Sequence, residues 1–362
     1  MPEENNIFHA SINGNLSKVR ELIYQGSRVN IQNSLGLTPL HLASSFGHAE
    51  LVAFLLESGA HVDLRDTLGN TPFHYAAQKP DNEEVIMELV KKKEDIINFK
   101  SNAGFTALHI AADRGQTNNV VTLLKCGAKP GITCYGRNPL HYAAIEGNND
   151  AVIALLNYEA LSESFNKVNG LVNEAERIDG CFALHLATMN GHHNVVSTLV
   201  KFGANVNAQN NFGITALQMA TFFKHNKIVE NLIGLKKTDV DIKNSYCGDT
   251  ALHIAIKMGN IEAIIALMKA DAKVDIKNDN YETALDIANK IEDESNRGKI
   301  IGLLSANSNE RIEVKAPLNP ASASKKRSDN EPDQNEPLSK KLKAARADRA
   351  AKLDRSGARS LG

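Results

Sequence analysis

Twelve histidines and four cysteines are the residues of this 362-residue chain with the most chemistry to offer. Imidazole and thiolate ligate zinc, and a Cys–His pair makes a nucleophile when a third group orients the base. The spacing argues against both. Cys126, Cys134, Cys181 and Cys247 form no CxxC pair and are too sparse for a disulfide framework, which fits a reducing compartment, buried thiols and no structural zinc. Cys181 and His185 are the one Cys/His pair at helical spacing, but Cys181 is expected on a hairpin tip turned away from the helix of His185. Six histidines, His41, His74, His109, His141, His185 and His253, fall in one slot of a repeating pattern. They read as a structural column of hydrogen-bonded rings rather than as ligands. No GxxxxGK[ST] or GxGxxG is present. The expectation is no catalytic, metal or cofactor-binding residue, no cofactor and no enzyme.

The slot belongs to an internal repeat. TPLH starts at Thr38 and returns as TPFH at Thr71, TALH at Thr106, NPLH at Asn138, FALH at Phe182, TALQ at Thr215, TALH at Thr250 and TALD at Thr283. The third residues of these units are 33, 35, 32, 44, 33, 35 and 33 residues apart. In the unit from Leu37, Thr38 can cap a helix and Pro39 suits its first position. Gly47 ends that helix. Leu51, Val52, Leu55 and Leu56 form the apolar stripe of a second helix, closed by Gly59. An extended His61-Val62-Asp63 and a turn at Leu68-Gly69 lead to the next unit.

These units resemble ankyrin repeats, whose signature is T-P-L-H-x-A at a 33-residue period. The resemblance covers about residues 4–306 and implies an all-α solenoid of helix pairs, each with a hairpin loop, burying apolar stripes only against neighbours. An N-terminal cap (4–35) without TPLH precedes repeats starting near 36, 69, 104, 136, 180, 213, 248 and 281, the last of which reads as a C-terminal cap. An insertion is placed at 157–179, where the interval grows to 44. Pro80 and Lys224 replace the glycine that ends the first helix in other units, so distortion is expected there.

An array of this kind binds proteins through hairpin tips and the exposed ends of first helices, which line its concave face. The residues on either side of the turn glycine include Leu35 and Leu37, Leu68 and Asn70, Phe105, Tyr135 and Arg137, and Phe212 and Ile214. The helix ends add Phe46, Phe222 and Phe223. These apolar residues predict a partner-binding row in which Phe105, Tyr135, Arg137 and Phe212 are the anchors.

After Ser305 the composition turns to Pro, Ser, Asn and charged residues, and 307–362 reads as a disordered basic tail. Residues 311–362 hold 13 Lys plus Arg against 7 Asp plus Glu, a charge of +6, leaving 28 against 35, or −7, for the rest. Lys325-Lys326-Arg327 is followed after twelve residues by Lys340, Lys341 and Lys343. That arrangement resembles a bipartite nuclear-import signal read by an import receptor. Direct nucleic-acid contact is the weaker reading, because the final basic segment has no aromatic residue for base stacking.

The whole chain is near neutral, at −1, with 42% apolar and 5% aromatic residues and no Trp, which argues against a large aromatic-lined pocket. The N-terminus has no apolar signal region, and no window approaches the ~18 apolar residues of a membrane span. The expected protein is a monomeric, cytoplasmic or nuclear scaffold for protein partners. The alternative is a nucleus-directed regulator, or an effector delivered into a host cell, whose basic tail mediates import or nucleic-acid contact.

Overall fold

The computed structural model describes residues 6–92, 94–161 and 170–311; residues 312–362, which hold the Lys and Arg clusters of the basic tail, lie outside them. Among the described residues nine helix pairs follow one another. The first helices are α1 (Ile7–Ile12), α3 (Pro39–Phe46), α5 (Pro72–Gln78), α7 (Ala107–Asp113), α9 (Pro139–Glu146), α11 (Ala183–Met189), α13 (Ala216–Phe222), α15 (Ala251–Lys257) and α17 (Ala284–Asn289). The second helices are α2 (Leu16–Tyr24), α4 (Ala49–Glu57), α6 (Glu83–Lys92), α8 (Thr117–Lys125), α10 (Asn149–Leu161), α12 (His193–Lys201), α14 (Asn226–Ile233), α16 (Ile261–Lys269) and α18 (Glu294–Arg311). Among the described residues there is no strand, only isolated bridges such as Cys134–Arg137 and Ala175–Phe182.

First helices pack on the first helices of neighbouring pairs and second helices, from α2 to α16, on second helices. Ridge-into-groove contacts of this kind space helix axes by about 8–10 Å. One apolar core runs from Ile7 to Leu304 through every pair. The stripe Leu51, Val52, Leu55 and Leu56 of α4 is almost wholly buried. Each such Leu contributes about 1.5–3 kcal/mol by leaving water, so Leu55→Ala would open a cavity in two units at once.

The helix starts follow from the repeated Thr. In α3 the amide of His41 donates to Thr38 Oγ1 (3.3 Å), while the amide of Thr38 donates to His41 Nδ1 (3.1 Å). The ring thus serves its own cap through Nδ1 and has Nε2 left for the next unit. His41 Nε2 donates to Asn70 O (3.2 Å), His74 to Phe105 O (2.9 Å), His109 to Arg137 O (3.2 Å), His141 to Glu174 O (3.0 Å) and His185 to Ile214 O (3.0 Å). Gln218 does the same work where His is missing, accepting from the Thr215 amide and donating to Ile242 O and Asp249 O.

A second clasp, invisible in the repeat motif, reaches across the loops that follow α2, α6, α10 and α12. Asn30 donates to Gly59 O and accepts from the His61 amide. Asn98, Asn173 and Asn207 repeat the pair of bonds with their own neighbours. This register shows that Leu171 and Val172, both buried, and Asn173 belong to the regular repeat.

Of the two expected distortions only the one at Pro80 is present, since Lys224 keeps the left-handed turn that glycines such as Gly47 and Gly259 make in other units. Lys224 takes the left-handed conformation itself, at φ 59°, whereas in the third unit Asp81 rather than Pro80 does so, at φ 51°. Proline is confined to negative φ, so the reversal moves one residue on.

Candidate interaction surface

The hairpins are positioned by the helix pairs and then tied to one another. The Thr67 amide donates to Leu35 O (3.0 Å), Asn102 to Leu68 O (2.9 Å), Arg177 to Gly136 O (3.3 Å), Asn211 to Asp179 O (2.9 Å), Ser245 to Phe212 O (3.0 Å) and Asp279 to Cys247 O (3.0 Å). At the remaining junction the shorter hairpin of Cys134 substitutes a thiol, whose Sγ donates to Ala103 O at 3.2 Å. Every tip from the second unit to the ninth is therefore fixed to the next. Within each hairpin a polar residue closes the turn: Asp66 Oδ1 accepts from the amides of Leu68 and Asn70, and Asn33, Asn210 and Asn278 do likewise in their own hairpins. Tyr75 adds a bond from its hydroxyl to Asp66 Oδ2 (2.6 Å).

Of the ten residues predicted to bind a partner, Leu35 and Tyr135 stand well out from the surface at tips, 53% and 57% exposed, and Phe46 is exposed at a helix end. Leu37 and Ile214 do not: they are 3% and 2% exposed, which corrects their placement in the row. Residues two apart in extended chain face the same way, but a left-handed glycine stands between Leu35 and Leu37 (Gly36, φ 77°) and between Phe212 and Ile214 (Gly213, φ 68°). The glycine turns the second residue inward, where Leu37 packs with Leu42 and Tyr75. Cys181 follows Gly180 and is buried for the same reason, so it is not at a tip.

Phe105 is half-buried in an aromatic cluster, 5.3 Å from Tyr142, 6.1 Å from His109 and 6.4 Å from Tyr135 between ring centroids. Arg137 is committed inward, its Nε 3.0 Å from Oε2 of the fully buried Glu176. Phe212 is partly buried at its tip. Phe222 and Phe223 meet edge to face at 5.1 Å, and Phe223 stacks on His225. Lys79, Arg114, Glu146 and Asn190 hold the equivalent helix-end positions of the units between Phe46 and this pair, so the helix ends carry two separate apolar spots. The tips carry the longer row. It gains Leu68 (43% exposed), named above as a tip, and two residues missed in sequence, Ile178 (51%) and Tyr281 (78%). Tyr281 occupies the turn-glycine slot at φ 62°; its position one period after Gly248 was the available signal. Ile178 falls within the 157–179 stretch assigned to the insertion.

Burial pushes His41, His74, His141 and His185 down to about 4 and His109 to about 3, partly opposed by the carbonyl each ring faces. They are neutral at pH 7. Burial likewise pushes the Cys181 thiol up to about 12 and the thiols of Cys134 and Cys247 to about 11, leaving no thiolate. Among the described residues no three His, Cys, Asp or Glu side chains are placed to hold a metal ion, and no helix is long and apolar enough to cross a membrane.

Comparison with known proteins agrees with this geometry. The sequence matches the description "Ankyrin repeats (3 copies)" over residues 7–100, 81–167, 159–244 and 222–313. It is similar to the nuclear factor NF-kappa-B p105 subunit of Gallus gallus, 30% identical over 209 residues, 57% of this chain and 20% of that protein. It is 31% identical to SH3 and multiple ankyrin repeat domains protein 2 of Homo sapiens over 188 residues, 52% of this chain and 10% of the relative. NF-kappa-B inhibitor alpha of Mus musculus is 35% identical over 133 residues, 36% of this chain and 40% of the relative. The chain thus spans between a tenth and two fifths of the length of these relatives. With the repeat motif, the stacked helix pairs and the matched segments in agreement, the chain belongs to the ankyrin-repeat family.

Proposed function

We propose that this protein is a non-catalytic scaffold that holds a protein partner along the hairpin edge and the adjoining helix ends, the side that corresponds to the concave face of ankyrin arrays. The observation that carries the reading is the row of exposed apolar tips, Leu35, Leu68, Tyr135, Ile178 and Tyr281, held in register by one bond at every junction. Contiguous apolar surface of this kind marks interaction sites, and aromatic anchors supply a disproportionate share of binding energy. Being tip residues, they can be changed without opening the core.

The test is the variant Leu35→Ser/Leu68→Ser/Tyr135→Ser/Ile178→Ser. Partner recovery from cells of the source should fall at least tenfold, with far-UV circular dichroism and the melting midpoint unchanged; undiminished recovery by the folded variant would sink the proposal. Phe105 is left out because its ring packs on Tyr142, so its loss would confuse binding with stability.

A second reading concerns the tail. Lys325, Lys326 and Arg327 with Lys340, Lys341 and Lys343 favour import into a nucleus, as the protein's own localisation or as that of an effector in a host cell. Deleting 320–362 separates the two roles: partner capture by the array survives, and nuclear accumulation is lost.

A further inference from the structure

The hairpin edge sorts its charges by sign. Its carboxylates are turned inward and used: Asp66 closes its turn and accepts from Tyr75, Glu176 pairs with Arg137, and Asp249 pairs with Lys257 at 2.6 Å. Glu282 is held by Lys290 and Asn278. The cations of the same hairpins point out. Arg65, Lys100, Arg177, Lys243 and Lys277 are all exposed, beside or between the apolar tips. Arg65 lies over the ring of Phe99, and it and Lys100 each donate to a main-chain carbonyl of the next unit, which leaves their charge unneutralised. Among the described residues here, Asp279, 3.7 Å from Lys243, and Asp275, two residues before Lys277, are exposed, and Asp179 is half-buried, its carboxyl shifted upward by burial and by Glu176. An array of net charge −7 outside its tail therefore presents a cationic, apolar edge.

We infer that the partner segment held by this edge is an acidic peptide with regularly spaced apolar residues. The inference rests on the scaffold reading above and adds the partner's chemistry to it. Unit spacing follows helix packing, about 8–10 Å, and an extended chain advances ~3.3 Å per residue. Every third residue of such a peptide can therefore meet a tip, with the two between them facing Arg and Lys. Nucleic acid would satisfy the cations but would leave Leu35, Leu68 and Ile178 against phosphate and sugar, so the apolar tips favour a peptide.

The probe is a fluorescein-labelled 18-residue peptide of six Leu-Glu-Asp triplets, titrated into the full chain and followed by fluorescence anisotropy. The comparison probes are six Leu-Lys-Lys triplets, six Ser-Glu-Asp triplets and an 18-nucleotide oligouridylate. The acidic apolar peptide should bind at least tenfold more tightly than any of the three, and weaken at least threefold between 0.05 and 0.5 M NaCl as screening sets in. The variant Arg177→Glu/Lys243→Glu/Lys277→Glu, whose three side chains are exposed, should lose at least tenfold in affinity while melting like the wild type. Tighter binding of Leu-Lys-Lys or oligouridylate, or a charge-reversed variant that binds normally, would overturn the inference. The two levels fail separately. If the tip variant loses its cellular partner while Leu-Glu-Asp does not bind, the charge assignment falls and the scaffold stands; if the tip variant keeps its partner, the scaffold itself falls.

Discussion

At the scale of single residues, the histidine column is the feature in which chemistry and structure could have been confused. In His41, His74, His109, His141 and His185 one nitrogen serves the ring's own helix start and the other the following unit, and a proton on both would break the first bond. The folded state therefore keeps these rings neutral, with values near 4 and, for His109, about 3, against an ordinary value of 6.5. The sign follows from linkage. Above pH 6.5 folded and unfolded chains are both neutral at these sites, and stability is at its full value. As the pH falls below 6.5 the unfolded chain takes up protons that the folded one refuses, so stability is lost progressively down to about 4. One pKa unit corresponds to about 1.4 kcal/mol, so each of these five histidines costs about 2 kcal/mol on going from pH 7.5 to pH 5. Gln218 is the protein's own control, since it makes the cap and forward bonds without titrating. His109→Gln should then fold, and its urea midpoint should fall less between pH 7.5 and pH 5 than that of the wild type. An unchanged pH slope would show that the column does not set acid stability.

At the scale of elements, backbone sign explains both what reads clearly from sequence and what does not. Thr-Pro or Thr-Ala starts, Gly stops and 3.6-residue stripes announce the helices because each acts locally, as Thr38, Pro39 and Gly47 do around α3. The facing of Leu37 and Ile214 depends on the left-handed turn glycine beside them, and nothing in their own identity reveals it. Leu171-Val172-Asn173 lacks the Gly-Ala lead of the equivalent Gly59-Ala60 and Gly203-Ala204, and only the Asn173 clasp reveals its kinship with the other loops. Lys224 offers a direct test of how much the sign of φ costs. An L-residue in the left-handed region is destabilised by about 1–2 kcal/mol, partly offset by the greater chain entropy glycine loses on folding. Its side chain is exposed, so Lys224→Gly should raise stability by up to about 1 kcal/mol in chemical denaturation. A destabilised variant would mean that the lysine side chain makes a compensating contribution.

For the array as a whole, the arrangement of contacts sets how a local defect spreads. Pairs touch mainly their neighbours, and the His, Asn and tip bonds each cross one junction, so stability is close to a sum of unit and junction terms. A central unit has two junctions to lose and a terminal one has one. Leu155 in α10 is fully buried between units on both sides, and Ile300 in α18 is equally buried but belongs to the last pair. Truncating either removes similar apolar volume, at about 2–5 kcal/mol, yet the consequences should differ in extent. In hydrogen exchange, Ile300→Ala should shorten protection in α17 and α18 and leave α3 to α11 as in the wild type. Leu155→Ala should shorten it in α8, α10 and α12 together and divide denaturant unfolding into two phases, because the weakened centre uncouples the two halves. If both variants lower protection evenly from α1 to α18, the array folds as one cooperative block. The tips could not then be treated as separable docking positions on a summed stack, since any change at one of them would be felt at all.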